Sequence, residues 1–335
     1  MIRFGIVGTS GHASRVAAPT LKRAPGVILL GAAGSAPEGS AEFAQLHGLP
    51  RTYRSLDGLL ADSDVDAVWI CSPNHLHARQ IALCAAAGKH VLVEKPLATS
   101  TSDAQAVKKA VAQARITLRV GCQHRFRPSH AHIRALIASG AIGRLGYMRI
   151  HRFWRYPYFE DMDKSAPPAW RRSPTESGGW IINDIGSHLL DLLLWMSGRQ
   201  ATLAGAVMAG QQFDVATEDS TGLLLRLGQS AIGIVETSCA NESPGSRIEA
   251  YGSGGWIRAD NTLSGAANVT THQDDALAFP PVGMMDAYAS EIVDFIAAIH
   301  GEPSIGADAA AGEAVTTIIE SALLRGTRAR PEETQ

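Results

Sequence analysis

Several residues in this chain have the types and spacing to handle protons, hydroxyls or phosphates. Lys95 stands between Glu94 and Pro96 at the end of an apolar run, where an ammonium group can polarise or protonate a substrate oxygen. Asp184, His188 and Asp191 fall at i, i+4 and i+7, one face of a helix. A histidine in that setting exchanges a proton near neutral pH, and a neighbouring carboxylate fixes its tautomer. The same residues also fit a plainer arrangement, an acid at a helix N-terminus followed by an ordinary buried histidine. Gly8-Thr9-Ser10-Gly11-His12-Ala13 follows one strand and opens a helix, a place where backbone amides face a pyrophosphate. Ser10 replaces the usual second glycine and Ala13 the third, so a simple tight turn fits these residues equally well.

The end of the second strand, Gly31-Ala32-Ala33-Gly34-Ser35, lacks the acid that binds ribose hydroxyls in NAD-preferring domains. Gly34 does not repel a 2′-phosphate, and Ser35 with nearby amides can donate to one; no arginine directly follows Gly34, and Arg54 is a candidate cation from elsewhere in the chain. The expectation is that NADP is preferred and NAD remains possible. Arg152-Phe153-Trp154-Arg155-Tyr156-Pro157-Tyr158 and Trp170-Arg171-Arg172 combine aromatic faces with hydrogen-bond donors. Such groups stack on the C–H face of a sugar ring and bond its hydroxyls. Arg152, Trp154, Tyr156, Trp170 and Arg171 are therefore substrate-binding candidates, and loop packing is the competing role for each. His75-x-His77, or Asp184 with His188, supplies two metal ligands at most, and no cysteine pair completes a set, so no metal is expected.

The elements that must position these residues follow two patterns. Apolar runs at Arg3–Val7, Val27–Ala33, Val65–Cys71, His90–Val93 and Thr117–Val120 alternate with helix-compatible stretches at Ala13–Arg23, Ser40–Leu46, His75–Ala87 and Ser102–Ala114. That alternation predicts a parallel sheet covered by helices. From Gln123 onward the pattern changes. A helix at Ser129–Ser139, a strand at Leu145–Phe153 and a helix from Trp180 to Met196 precede a series of strands, with a type II′ hairpin expected at Gly228-Gln229. Two helices, Asp286–Ile299 and Ala309–Leu324, close the chain. The expected architecture is α/β, with a dinucleotide-binding Rossmann domain over 1–123. An α+β domain over 124–335, with a largely antiparallel open sheet, serves substrate binding and oligomerisation.

A length of 335 residues suits two domains, and 45% hydrophobic with 19% charged residues is ordinary globular composition. A formal net charge of −2 without basic runs argues against a nucleic-acid partner. No long apolar segment argues for a membrane span or a leader, and the four scattered cysteines fit a reducing cytoplasm.

At Cys71-Ser72-Pro73-Asn74-His75-Leu76-His77 and Ala87-Gly88-Lys89-His90-Val91-Leu92-Val93-Glu94-Lys95-Pro96 the sequence resembles the Gfo/Idh/MocA family of nicotinamide-dependent oxidoreductases. The resemblance continues through Arg125-Phe126-Arg127-Pro128 and Ile142-Gly143. Gly178-Gly179, then Asp184 through His188 and Asp191, and finally Tyr251 through Gly255 extend it over nearly the whole chain. It implies a cofactor site that includes Ser72, Pro73, Asn74, His77, Glu94 and Lys95, with Lys95, Asp184 and His188 as catalytic residues at the nicotinamide. It places Arg125 and Asp191 among the substrate-binding residues, and it implies a Lys95–Pro96 bond that is commonly cis. A sugar or polyol substrate follows from the same resemblance, and the apolar alternation in Gly222–Leu227 and Ala231–Val235 predicts an uncovered sheet face that joins a homodimer or homotetramer. The rival expectation from another class is a catalytically silent dinucleotide sensor or scaffold of the same fold.

Overall fold

The computed structural model describes residues 1–156, 169–210, 213, 216–242, 245–263 and 265–329. The chain divides into two compact units, Met1–Gln123 with Met284–Glu313, and His124–Gly283 with Ala314–Gln335.

The first unit is built on a parallel sheet of β1 (Ile2–Val7), β2 (Val27–Ala33), β3 (Arg51–Thr52), β4 (Ala67–Ile70), β5 (His90–Val93) and β6 (Leu118–Val120), in the order β3-β2-β1-β4-β5-β6. The strands are continuous apolar runs because helices cover both faces, as a doubly wound sheet requires. Helix ends follow local chemistry. Ser100 accepts a hydrogen bond from the Asp103 amide at 3.1 Å to open Thr101–Ala114, and Gly48, at φ 57°, closes Pro37–His47.

Residues 284–313, expected within the second domain, belong to this first unit. The helix Met284–Ile299 buries Tyr288, Ile292 and Phe295 in the cluster that holds Phe4, Leu21 and Trp69, with Phe295 meeting Phe4 edge to face at 6.0 Å. Its apolar face matches a helix-covered parallel sheet, so the chain returns to the Rossmann unit over 284–313 before its last helix and strand rejoin the second unit.

The second unit holds a nine-stranded sheet: β7 (Leu145–Phe153), β8 (Ala201–Ala209), β9 (Ser220–Leu227), β10 (Ala231–Ser238), β11 (Ser246–Gly252), β12 (Gly255–Asp260), β13 (Ala267–Thr271), β14 (Leu277–Phe279) and β15 (Thr327–Ala329). Its order is β14-β13-β12-β11-β7-β10-β9-β8-β15, antiparallel except for the parallel pairs β7–β10 and β8–β15. Leu223, Leu225, Leu227, Ala231 and Val235 alternate into a core shared with Ile185, Leu189 and Leu192. The hairpin expected as a two-residue type II′ turn is instead a three-residue connection, Gly228 to Ser230, between paired Leu227 and Ala231. Gly228 supplies the left-handed φ of 57° that the connection needs.

The sheet's other face is partly bare. Val207, Leu224, Ile232, Tyr251 and Trp256 are exposed, and the strand register puts them all on one side with Tyr147.

Candidate functional site

The first cluster of candidate residues lies at the carboxyl ends of β1, β2, β4 and β5. Gly8 has φ 98°, and a Cβ there would meet the Cys71 backbone at 2.9 Å, so only glycine lets the turn pass this close to the end of β4. Thr9, Ser10, Gly11 and His12 complete the turn, half-buried or exposed, and the helix it opens begins with a π turn, Ala13–Ala17. This small-residue cradle at a helix entrance suits a dinucleotide pyrophosphate. Gly34 follows β2 directly. Its amide donates to Ser40 Oγ at 2.8 Å, and a Cβ at this position would sit 2.4 Å from Thr9 Oγ1. Ser35 and Arg54 are exposed nearby in sequence.

After β4, Ser72 Oγ donates to Gln80 Oε1 at 2.5 Å, Pro73 precedes a single 3₁₀ turn, and Asn74 is buried. His77, expected at the cofactor, is fully buried. Its Nδ1 lies 2.7 Å from the Pro96 carbonyl and its Nε2 2.9 Å from the Ser72 carbonyl, so the ring ties the two loops together. Burial lowers its pKa. Glu94 is buried, with Oε1 3.0 Å from His12 Nε2 and accepting from Trp69 Nε1 at 3.3 Å. The glycine turn is thereby linked to the residue before Lys95. Lys95 itself is half-buried, and the Lys95–Pro96 bond is cis. Tyr288, which sequence reasoning missed, packs edge to face on His12 at 5.6 Å. Burial, reinforced by Glu94, holds its phenol well above the usual range.

The second cluster surrounds the helix Ser187–Ser197. The helix expected from Trp180 to Met196 is divided: a π turn at Ile182–Gly186 carries Asp184, and α-helix begins at Ser187. Such turns recur at functional sites because they re-aim side chains. Asp184, His188 and Asp191 are all buried. Arg171 meets Asp184 with both terminal nitrogens, at 2.9 and 3.2 Å, which brings two predicted residues together. Arg125 and Asp191, expected to contact substrate, are instead a buried ion pair with two bonds of 2.8 and 2.6 Å. The pairing has a simple cause, since a buried guanidinium needs a carboxylate and each satisfies the other.

Tyr156, expected to contact substrate, is also buried. It is 5% exposed and packs edge to face on Trp180 and Phe213, both at 5.6 Å, so it belongs to the core. Arg152 lies over the Trp154 ring at 5.2 Å and Arg171 over Trp170 at 5.1 Å, all four half-buried. Pro157 and Tyr158 lie outside the described residues. Sequence reasoning also passed over His124 and His130. His124 meets His188 edge to face at 4.8 Å, and His130 Nδ1 lies 2.7 Å from the His124 carbonyl. Burial holds His130 down to about 4. Both histidines lie in or beside the Arg125-Phe126-Arg127-Pro128 motif, which was the available signal.

Glu218 is another unforeseen group. Its Oε1 accepts from the Ile182 amide at 3.0 Å, at the start of the π turn, and burial pushes its carboxyl up from 4.5 to about 7. The folded chain therefore keeps a proton that the unfolded chain releases between those values. Stability should fall as pH rises from about 4.5 to 7 and level off above. Glu218→Gln, which retains an acceptor for Ile182, should be more stable than wild type at pH 8 by up to about 3 kcal/mol and equal to it near pH 4.5. Urea melts of both proteins across that range check this, and a wild type at least as stable as the variant at pH 8 would refute it.

Among the described residues, no three His, Cys, Asp or Glu side chains are grouped to hold a metal ion. No described helix is long and apolar enough to cross a membrane.

Comparison with known proteins gives the family of the chain. Residues 2–122 match the GFO_IDH_MocA family, described as "Oxidoreductase family, NAD-binding Rossmann fold", and residues 130–258 match its C-terminal domain. The chain belongs to the GFO/IDH/MocA oxidoreductase family and is an enzyme with a nicotinamide-dinucleotide-binding Rossmann unit. It is 28% identical to an inositol 2-dehydrogenase of Rhizobium meliloti, covering 96% of each chain. It is 29% identical to a 1,5-anhydro-D-fructose reductase of Ensifer adhaerens, covering 91% of this chain and 90% of that one. The crystal structure of a putative myo-inositol dehydrogenase from Sinorhizobium meliloti superposes with a TM-score of 0.78 at 27% identity, covering 97% of each chain.

Proposed function

We propose that this enzyme transfers a hydride between a nicotinamide dinucleotide and a sugar or polyol, interconverting a CH–OH group and a carbonyl. The observation that carries the reading is the presence of Lys95 after the Glu94-linked turn together with two buried proton-active residues, Asp184 and His188. A silent sensor requires neither. The dinucleotide, when bound, accepts or supplies the hydride. The protein's part is to move the proton. In the oxidative direction Lys95 orients the substrate hydroxyl and His188 takes up its proton; in reduction the same groups return it. Asp184, held by Arg171, fixes the surroundings of that exchange. Arg152, Trp154, Trp170 and Arg171 are the groups on which sugar hydroxyls and ring faces select. The relatives named for inositol and anhydrofructose motivate a substrate rich in hydroxyls. Turnover on a panel of cyclic polyols and sugars tests this reading, and dinucleotide binding without turnover across the panel would return the silent alternative.

NADP(H) is the proposed preferred cofactor, with NAD(H) also accepted. Gly34 offers no carboxylate to ribose hydroxyls and no repulsion to a 2′-phosphate. The expected result is a kcat/KM ratio in favour of NADP(H). Because a Cβ at Gly34 would strike Thr9 Oγ1, the reversal requires the double change Gly34→Asp with Thr9→Ala, which should swing the ratio towards NAD(H). A tenfold wild-type preference for NAD(H), about 1.4 kcal/mol, would contradict the assignment.

A homodimer or homotetramer joined through the bare sheet face is the proposed assembly, since Val207, Leu224, Ile232, Tyr251 and Trp256 form an apolar band across five strands. Light scattering at micromolar concentration should give at least twice the chain mass, and a one-chain mass would contradict it. The cytoplasm is the proposed location.

A further inference from the structure

The segment before the helix Pro128–Ala138 grips the helix Ser187–Ser197 at successive positions on one face. His124 meets His188, and Arg125 meets Asp191 three residues on. The double-bonded Arg125–Asp191 pair fixes the segment's register, so the two imidazoles stand at a defined spacing, 4.8 Å between centroids and 82° between planes. His124 is held from its other side as well. Arg127 Nε donates to His124 Nδ1 at 3.1 Å, and the His124 carbonyl lies 2.7 Å from His130 Nδ1. An Nδ1 that accepts leaves the ring proton on Nε2.

We infer that His124 is a positioning residue for His188: locked by Arg127 with its proton on Nε2, it keeps the His188 ring in one orientation and one tautomer. The inference rests on the reading of His188 as the proton carrier. The charged and titratable groups facing His124 come from each element around it: His188 on the helix Ser187–Ser197, Arg127 and His130 at and within the helix Pro128–Ala138, and Arg152 on β7. All are cationic or able to become so, and with burial they hold His124 well below the ordinary imidazole range, in the neutral form that the Arg127 bond requires. An imidazole that exchanges a proton with a hydroxyl must present the same nitrogen at every turnover. An edge-to-face neighbour, itself unable to flip without losing Arg127, imposes that constraint.

His124→Phe preserves a ring against His188 but removes both nitrogens, and Arg127→Gln leaves His124 in place while removing its cationic donor. Each should lower kcat about ten- to a hundred-fold with dinucleotide affinity unchanged, a partial loss of the effect expected for a proton-transfer group. Imidazole ¹⁵N spectra provide a readout that a merely structural role would not move. Wild type at pH 7 should show His124 protonated on Nε2 and His188 as a single tautomer, and both variants should show mixed tautomers for His188. Unchanged kcat with an unchanged His188 spectrum in either folded variant overturns the inference. So does a wild-type His124 protonated on Nδ1, which needs no variant to fold. His188→Gln, measured in parallel, separates the two readings: turnover surviving in that variant removes His188 from the chemistry, while the ¹⁵N spectra still decide whether His124 holds its ring.

Discussion

Lys95→Ala is expected to lower kcat by about 10²–10⁴-fold, the range for loss of a positioned proton-transfer group, while dinucleotide affinity changes little. The separation follows from where the groups lie. The proposed pyrophosphate cradle is the backbone of Gly8 through His12, whose tightest constraint is Gly8 against Cys71. Glu94 and His77 tie the neighbouring loops through bonds that do not involve the Lys95 side chain. Removing the ammonium should therefore leave the cofactor platform standing. Cofactor fluorescence titration beside steady-state kinetics distinguishes the outcomes. A variant with most of wild-type kcat would take Lys95 out of the mechanism, and one that loses both binding and turnover would make Lys95 part of the platform.

Arg125→Leu is expected to destabilise the protein by about 3–5 kcal/mol, because it leaves the Asp191 carboxylate buried, 2% exposed, without its cation. The double change Arg125→Leu with Asp191→Leu should recover much of that loss, since the cost lies in the orphaned charge rather than in a missing attraction. The pair also sets the register between the His124 segment and the helix that carries His188, so turnover of the double variant should remain below wild type even where its fold is restored. Denaturant melts of the single and double variants test the first point. A single variant within 1 kcal/mol of wild type would mean that Asp191 finds water or another donor.

Much of the first unit was legible because a parallel sheet covered by helices writes itself as apolar runs at strand length separated by helical spacing. β2 and β5 there, and β7 in the second unit, begin and end where the sequence pattern puts them. The two-residue β3 and the short helix Leu56–Leu60 carry too few residues to show a period. β8 reads Ala201-Thr-Leu-Ala-Gly-Ala-Val-Met-Ala and is only partly buried along most of its length, so it has no clean alternation to detect. The return of Met284–Ile299 to the first unit depends on packing against Phe4 and Trp69, more than 200 residues earlier, and no local pattern encodes it.

The site divides in the same way. Types and spacing identified Gly8, Lys95, Asp184 and His188 as groups able to do chemistry. They did not say that Arg125 and Asp191 neutralise one another across 66 positions or that His12 reaches Glu94 across 82. Tyr156 looked like a sugar-stacking residue because an aromatic in a loop carries the same letter whether it faces a ligand or, as here, Trp180. The π turn at Ile182–Gly186 changes the angular relation between Asp184 and His188, which ideal helical spacing cannot foresee.

The most direct measurement is isotope transfer during single turnovers. The enzyme is mixed with oxidised NADP and a cyclic polyol or sugar deuterated at the reacting carbon, and the reduced nicotinamide is examined by mass and NMR. Deuterium should pass directly from that carbon to nicotinamide C4, without exchange with solvent, and this transfer should be lost in Lys95→Ala. Tight dinucleotide binding with no deuterium on the nicotinamide from any substrate in a broad panel would contradict it.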